Sequence, residues 1–310
     1  MFKYETIQEL VDAAQTSGKK ISDIFIEDQA KAMETSPEEI IARMDEAFQV
    51  MIDCTVRGAD KDLRSHSGLT GGEGYKMLSY AADAPEGGWM GSYMTRAVGR
   101  ALSASVSNAA MGKIVAAPTA GSCGILPGCL VSAYEDRGMD REACVRALFT
   151  AGAFGLVVAN VASIAGAEGG CQAECGSASG MAAAALVELR GGSPQQAATA
   201  MGIAIVNQMG LVCDPVAGLV EIPCIKRNAS GVMIAFTAAD MALSGIDLKI
   251  PVDECISAMK AVGDSMPEAL RETAGGGLAA PVDGGAQPVE ADNSAYYAPL
   301  SLTTLLLLVQ

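Results

Sequence analysis

The sequence predicts a mainly α-helical chain, on three observations. Apolar residues recur at helical spacing through most of it, helix start signals precede several of those runs, and convincing alternating strands are hard to find. Only Ile21 to Ile26 and Ile114 to Ala117 read as short strands. No repeat with a period of about 20–50 residues is evident, which argues against a solenoid.

Residues 5 to 17 place Ile7, Leu10, Val11 and Ala14 on one helical face and end at Ser17-Gly18. Ser36-Pro37-Glu38-Glu39 is a strong helix start: a capping serine, proline at the first helical position, then acids in the first turn. The apolar face from Ile40 to Ile52 carries that helix to about Arg57. The next stretch, Ser65-His66-Ser67-Gly68-Leu69-Thr70-Gly71-Gly72-Glu73-Gly74, reads in two ways. It is a flexible connector, or a loop whose backbone N–H groups and hydroxyls hold a small anion such as a carboxylate. Residues 93 to 111 read as a helix of small residues. The polar, Gly-rich interruption at 116–128 is either a substrate site or an interhelical turn.

Asp140 caps a segment running to about Ala165, in whose apolar part Asn160 is the polar exception. An Ala-rich helix follows at 177–190, stopped by Gly191-Gly192. Ser193-Pro194 repeats the cap-plus-proline start for a helix to about Met209. Ser230 to Leu243 and Pro251 to Val262 are further helices, and 273–292 is expected to be loop. Leu300 to Val309 reads as a buried terminal helix or a subunit contact, being about half the roughly 20 residues of a membrane span. The organisation expected is an N-terminal helical segment, 1–58, followed by a single helical domain with Gly-rich loops, 59–310.

Composition narrows the function. Half of the 310 residues are hydrophobic and 18% are charged, so the core is large. The formal net charge of -15 argues against nucleic acid as a partner, since phosphate contacts need basic patches. No membrane partner is expected either. Met1-Phe2-Lys3-Tyr4-Glu5 opens a charged amphipathic segment rather than a signal peptide, so a cytoplasmic location is expected, with reduced or metal-bound thiols. The chain has nine cysteines and one histidine, which rules out a histidine-rich zinc site.

Three of the cysteines, Cys171, Cys213 and Cys224, sit at turns between apolar segments. Their separations of 42 and 11 residues fit neither zinc ribbons nor bacterial ferredoxin runs. Three separated thiolates suit three irons of a cubane, leaving the fourth iron open as a Lewis acid; structural thiols remain the other reading of the spacing. Cys175 is read as a neighbouring or buried thiol rather than a ligand, and Cys123 as a residue that could line the site. Cys54, Cys129, Cys144 and Cys255 are read as helix packing.

Three long motifs in order carry a resemblance. Ala117-Pro118-Thr119-Ala120-Gly121-Ser122-Cys123-Gly124-Ile125-Leu126-Pro127-Gly128 is the first. Ala167-Glu168-Gly169-Gly170-Cys171-Gln172-Ala173-Glu174-Cys175-Gly176 is the second. Cys213-Asp214-Pro215-Val216-Ala217-Gly218-Leu219-Val220-Glu221-Ile222-Pro223-Cys224 is the third. Together they resemble the α, cluster-carrying chain of the iron–sulfur-dependent L-serine dehydratases, from about residue 60 to 280. The resemblance implies a [4Fe-4S] cluster on Cys171, Cys213 and Cys224, no pyridoxal phosphate, and conversion of L-serine to pyruvate and ammonia. It also implies a separate β chain in a heterodimer or larger assembly, because 310 residues leave no room for the β domain of one-chain members. The chain ends Leu-Leu-Val-Gln, so a terminal cysteine as fourth ligand is not expected.

Other side chains are candidates with a second reading each. His66 is a proton-transfer group or a solvent-facing loop histidine, and Lys113 pairs with a carboxylate or is a surface lysine. Thr70, Thr119, Ser122 and, more weakly, Ser65 hold the substrate's carboxylate or amine, or are turn hydroxyls bonded to their own backbone. Asn160 is a site residue or a satisfied core amide. Three rival functions stand beside the main one. Gly275-Gly276-Gly277-Leu278 suggests a pyridoxal-phosphate cradle, but no Schiff-base lysine motif accompanies it. The others are a non-enzymatic iron–sulfur sensor, and a cysteine desulfidase or threonine dehydratase using the same kind of cluster.

Overall fold

Short-range signals set where helices begin. The Thr6 hydroxyl accepts from the Glu9 N–H at 3.1 Å, Ser36 from Glu39 at 3.2 Å and Ser193 from Gln196 at 3.2 Å. The Asp140 carboxylate accepts from the Ala143 N–H at 3.0 Å. These caps open α1 (Ile7–Ser17), α3 (Pro37–Gly58), α10 (Pro194–Val206) and α7 (Arg141–Val161).

The structure, a computed structural model, describes residues 4–280 together with Thr303 and Thr304. The remaining helices are α2 (Ile21–Ala32), α4 (Glu73–Asp83), α5 (Gly91–Ala109), α6 (Ile125–Arg137), α8 (Gly166–Gly169), α9 (Ser177–Leu189), α11 (Cys224–Leu243) and α12 (Val252–Ser265). The mainly helical expectation is met. One expected strand is real: β1 (Val115–Ala116) pairs in parallel with β2 (Thr303–Thr304). That pairing replaces a helix at Thr303 and Thr304; the rest of Leu300 to Val309, like 281–292, lies outside the described residues.

The other expected strand, Ile21 to Ile26, is helical. Ile21, Ile24 and Phe25 follow the i, i+3, i+4 rule and bury one stripe of α2 against α7, so three apolar positions read as alternation belong to a helix face. Helix α11 starts six residues before its expected start at Ser230, at Cys224, and Pro127 with Gly128 falls inside the first turns of α6.

Helix α9 is the centre of the core. It is apolar all round, with every residue from Ser177 to Glu188 buried, and it packs against α6, α7, α10 and α11. Helices α1 to α3 share the same continuous core, through Ile7, Phe25 and Phe48. Among the described residues one helix, α7, is long and apolar enough to cross a membrane, and most of it is buried in that core.

Small residues let these helices approach. A Cβ on Gly58, at the end of α3, would lie 1.8 Å from the Ser103 carbonyl oxygen of α5, so Gly58 is a contact point that no side chain fits. Gly58→Ala is expected to lower stability by about 1–3 kcal/mol through overpacking, read as a lower urea midpoint with an unchanged slope.

Glu188, near the end of α9, is buried and accepts from the Ser22 N–H at 3.3 Å. Burial pushes its carboxyl above the usual range, and the contact with Ser22 only partly opposes this. Below the ordinary carboxylate pKa both folded and unfolded forms are protonated and nothing is lost. As pH rises through that value toward the higher folded one, the unfolded chain gives up its proton first and stability falls. Glu188→Gln is therefore expected to gain in urea midpoint over the native chain as pH rises from 4 to 8, with little difference at the acid end.

Candidate functional site

Four loops meet at one end of α9. The first, between α3 and α4, folds on itself: the Ser65 N–H donates to the Thr70 carbonyl at 2.9 Å, and the Thr70 N–H donates to the Ser65 hydroxyl at 3.2 Å. Ser65 and Thr70 are buried, while His66 between them is exposed and its N–H is held by the Ala109 carbonyl at 2.9 Å. Ser65 thus takes the turn role for its hydroxyl.

The second loop, 117–124, contains a cis Ala117-Pro118 bond. Thr119 Oγ1 lies 3.2 Å from Ser122 Oγ and donates to Glu174 Oε1 at 2.8 Å. Cys123 turns away from this pair and packs with Cys54, Ala104 and Ile114. The third loop leads through α8 and Gly170 to Cys171, then a single π-helical turn, Gln172–Gly176, that runs into α9. Gln172 fixes it: its side chain donates to the Met259 carbonyl and accepts from the Gly210 N–H, each at 2.8 Å.

The fourth loop carries Cys213 and ends at Cys224, the first residue of α11, just after a cis Ile222-Pro223 bond. The Cys213 N–H donates to the Leu270 carbonyl at 2.8 Å and its carbonyl accepts from Glu272 at 2.7 Å. Asp214 is buried between Arg227, at 2.8 Å, and the Leu278 N–H, also at 2.8 Å.

Cys171, Cys213 and Cys224 are all buried, and they lie near enough that Cys171 and Cys224 act electrostatically on Cys213 and Cys171 acts on Cys224. Burial pushes the Cys213 thiol far up, and Glu174, Cys171 and Glu272 add to it. Burial does the same to Cys224, with Cys171 and Glu174 adding to it and Arg227 opposing. The Cys175 sulfur lies 3.4 Å from that of Cys171, and this contact with burial also raises it. Glu174 reaches Cys213 at 3.8 Å; burial lifts its carboxyl to about 7 against the hydrogen bond from Thr119. Burial works against the charge on Arg227, but Cys171 and Asp214 beside it outweigh burial and raise its pKa.

Soft sulfur donors packed with no room to spare suit a metal–sulfur group. A Cβ at Gly166 would sit 2.9 Å from the Cys213 sulfur and 2.7 Å from a Glu174 oxygen. Thiolates in so buried and acidic a place need a cation beside them. Among the described residues no three His, Cys, Asp or Glu side chains converge on a single ion-sized point. A cubane does not require that, because its ligands hold separate irons. The residues fit a cluster better than a lone ion.

Lys113 and Asn160 are both exposed, the first after α5 and the second on the last turn of α7. The sequence reading passed over Glu174, Asp214, Glu221, Arg227 and Asn228. Asn228 is wholly buried: its side chain accepts from the Gly124 N–H at 2.9 Å and donates to the Gly121 and Cys224 carbonyls at 2.7 and 2.9 Å. The signal available for it was position: four residues beyond Cys224, on the same helix face.

A helical protein with a buried centre of thiols and carboxylates at the meeting of four loops is the class these features define. The chain belongs to the serine dehydratase family, by its alpha chain: the family model described as "Serine dehydratase alpha chain" matches residues 16–279. It is 50% identical over 277 residues to the "Probable L-serine dehydratase, alpha chain" of Bacillus subtilis, covering 89% of this chain and 91% of that one. It is 46% identical over 275 residues to the "L-serine dehydratase, alpha chain" of Peptoniphilus asaccharolyticus, covering 88% and 93%. With the "L-serine dehydratase" of Streptomyces coelicolor it shares 39% identity over 286 residues, 90% of this chain but 61% of that one.

Asn228→Ala leaves the Gly124 N–H and two carbonyls without their partner. It is expected to cost about 1–3 kcal/mol, measured as the drop in unfolding free energy of the purified chain.

Proposed function

We propose that this chain is the α subunit of an L-serine ammonia-lyase that converts L-serine to pyruvate and ammonia, holding a [4Fe-4S] cluster on Cys171, Cys213 and Cys224. The observation that carries this reading is the meeting of those three buried cysteines, from three separated segments, beside Glu174, Thr119 and Arg227. The names of the relatives favour serine dehydration over desulfidation, sensing or pyridoxal chemistry.

When bound, the cluster supplies a Lewis acid that labilises a β-hydroxyl. The chain's own groups do the rest. Thr119 and Ser122 present two hydroxyl oxygens 3.2 Å apart; the Thr119 proton is committed to Glu174, so its free lone pair suits the substrate's amine. Glu174 orients Thr119 by accepting the hydrogen bond of its hydroxyl at Oε1. Arg227 offsets negative charge on the Cys171 sulfur. His66, exposed on its loop, exchanges protons with substrate or with a partner that covers it. Lys113 and Asn160 are exposed as His66 is, so a part for them in holding substrate depends on the same covering partner.

The Streptomyces relative extends well beyond the stretch matched here, whereas two relatives of matching length are named alpha chains. A separate β chain therefore completes the enzyme in this proposal. The cytoplasm, where free thiols and clusters persist, is its place.

The test is purification without oxygen, with and without the β chain. Expected are about four irons per chain, pyruvate formation from L-serine that air abolishes, and loss of iron in Cys171→Ser, Cys213→Ser or Cys224→Ser. Pyruvate formation by iron-free protein, or variants that keep their iron, would overturn the assignment.

A further inference from the structure

We propose that Glu221 is a positioning residue that ties the His66 loop to the Cys224 end of α11. Its carboxylate is wholly buried, and it takes hydrogen bonds from two hydroxyls 154 and 151 residues away in sequence. Ser67 Oγ donates to Oε1 at 2.7 Å and Thr70 Oγ1 donates to Oε2 at 2.6 Å. The two donors flank the tip of the loop. Ser67 also lies 3.2 Å from the Ser65 hydroxyl and accepts from the Leu69 N–H at 3.1 Å, so the carboxylate grips the loop's internal network rather than one side chain.

The other end of the tie is equally fixed. The Glu221 carbonyl accepts from the Ile225 N–H at 3.0 Å, and the Ile222 carbonyl accepts from Val216 at 2.8 Å. Glu221 is thus built into the entry to α11, three residues from Cys224. A shift of the loop that carries His66 must move this carboxylate or break two charge-assisted hydrogen bonds inside the protein, where they are strongest.

A second tie joins α11 to the start of α4, just past that loop: Lys226 Nζ lies 2.9 Å from Glu73 Oε1. Lys226 is 54% exposed, so water screens that pair and it contributes little. The buried carboxylate therefore carries the restraint. Its charge is not needed for chemistry in this reading, only its hydrogen bonds to the two hydroxyls. That the restraint matters for turnover rests on the proposed function; the restraint itself does not.

Hydrogen exchange of the full-length, cluster-free chain tests the tie directly. In Glu221→Ala, amides of residues 65–70 are expected to exchange at least about tenfold faster, while α7 and α9 are unchanged. Glu221→Gln, which keeps the shape and one acceptor, is expected to stay within about threefold of the native chain, and Lys226→Ala within about twofold. The double variant Ser67→Ala/Thr70→Val removes the donors from the other side and is expected to loosen the same segment, even if Glu221→Ala fails to fold. Unchanged exchange in both variants, loosening spread over the core helices, or equal loosening in Lys226→Ala would overturn the proposal. In the loaded enzyme with its β chain, Glu221→Ala is expected to lower kcat at least about tenfold with KM changed less than threefold, and Glu221→Gln to recover most of it. A Gln variant as inactive as the Ala variant would overturn the positioning role in favour of a role for the charge. If the native enzyme shows no turnover while the exchange pattern holds, the functional reading fails and the tie stands.

Discussion

A buried polar centre exists only if every one of its groups has a partner, because an amide or carboxylate left alone away from water costs more than most single contacts return. The rest of this structure depends on meeting that constraint. Gln172, Asp214, Glu221 and Asn228 each use a side chain to bind backbone or hydroxyls from another segment. Between them they join all four loops and the starts of α6, α9 and α11. The thiols contribute almost nothing to this network, which rests on amide, carboxylate and backbone groups.

The loops can meet only because the helices behind them pack closely. Gly58 against Ser103 brings α3 onto α5, and a Cβ at Gly124 would lie 2.3 Å from the Ala101 carbonyl oxygen, which seats the start of α6 on α5. Helix α9, with its run of alanines, lets α6, α7, α10 and α11 surround it. The scarcity of aromatic residues has the same cause: large rings at these crossings would hold the helix starts apart.

What was legible in the sequence was local. Ser36-Pro37 and Ser193-Pro194 announce their helices because cap and first turn are neighbours in the chain. Ile21 to Ile26 misled because six apolar-rich residues fit either period, and the burial that decides is provided by α7, over a hundred residues away. Cys171, Cys213 and Cys224 stood out through their motifs. Glu174 and Glu221 sit inside those same motifs, yet their partners Thr119, Ser67 and Thr70 lie on other loops. No spacing rule links residues 55 or 151 apart, so such pairs become visible only in three dimensions.

The placement of the cysteines solves an electrostatic problem that their burial creates. Thiolates among Glu174 and Glu272, with burial raising both carboxyls, are in a poor place for negative charge. Two of the three sulfurs are at helix starts: Cys224 opens α11, and Cys171 opens the π turn that feeds α9. The first-turn N–H groups there are already paired, Ile225 with the Glu221 carbonyl and Gln172 with the Leu211 carbonyl, so compensating charge must come from a side chain. Arg227, one turn into α11, adds a full charge beside Cys171 and is itself fixed by Asp214 and the Val212 carbonyl. Cys213 has no helix start of its own; its N–H and carbonyl are instead locked to Leu270 and Glu272. The site thus divides its work, with one arginine supplying the opposing charge beside Cys171 and Cys224 and backbone pairing fixing the position of Cys213.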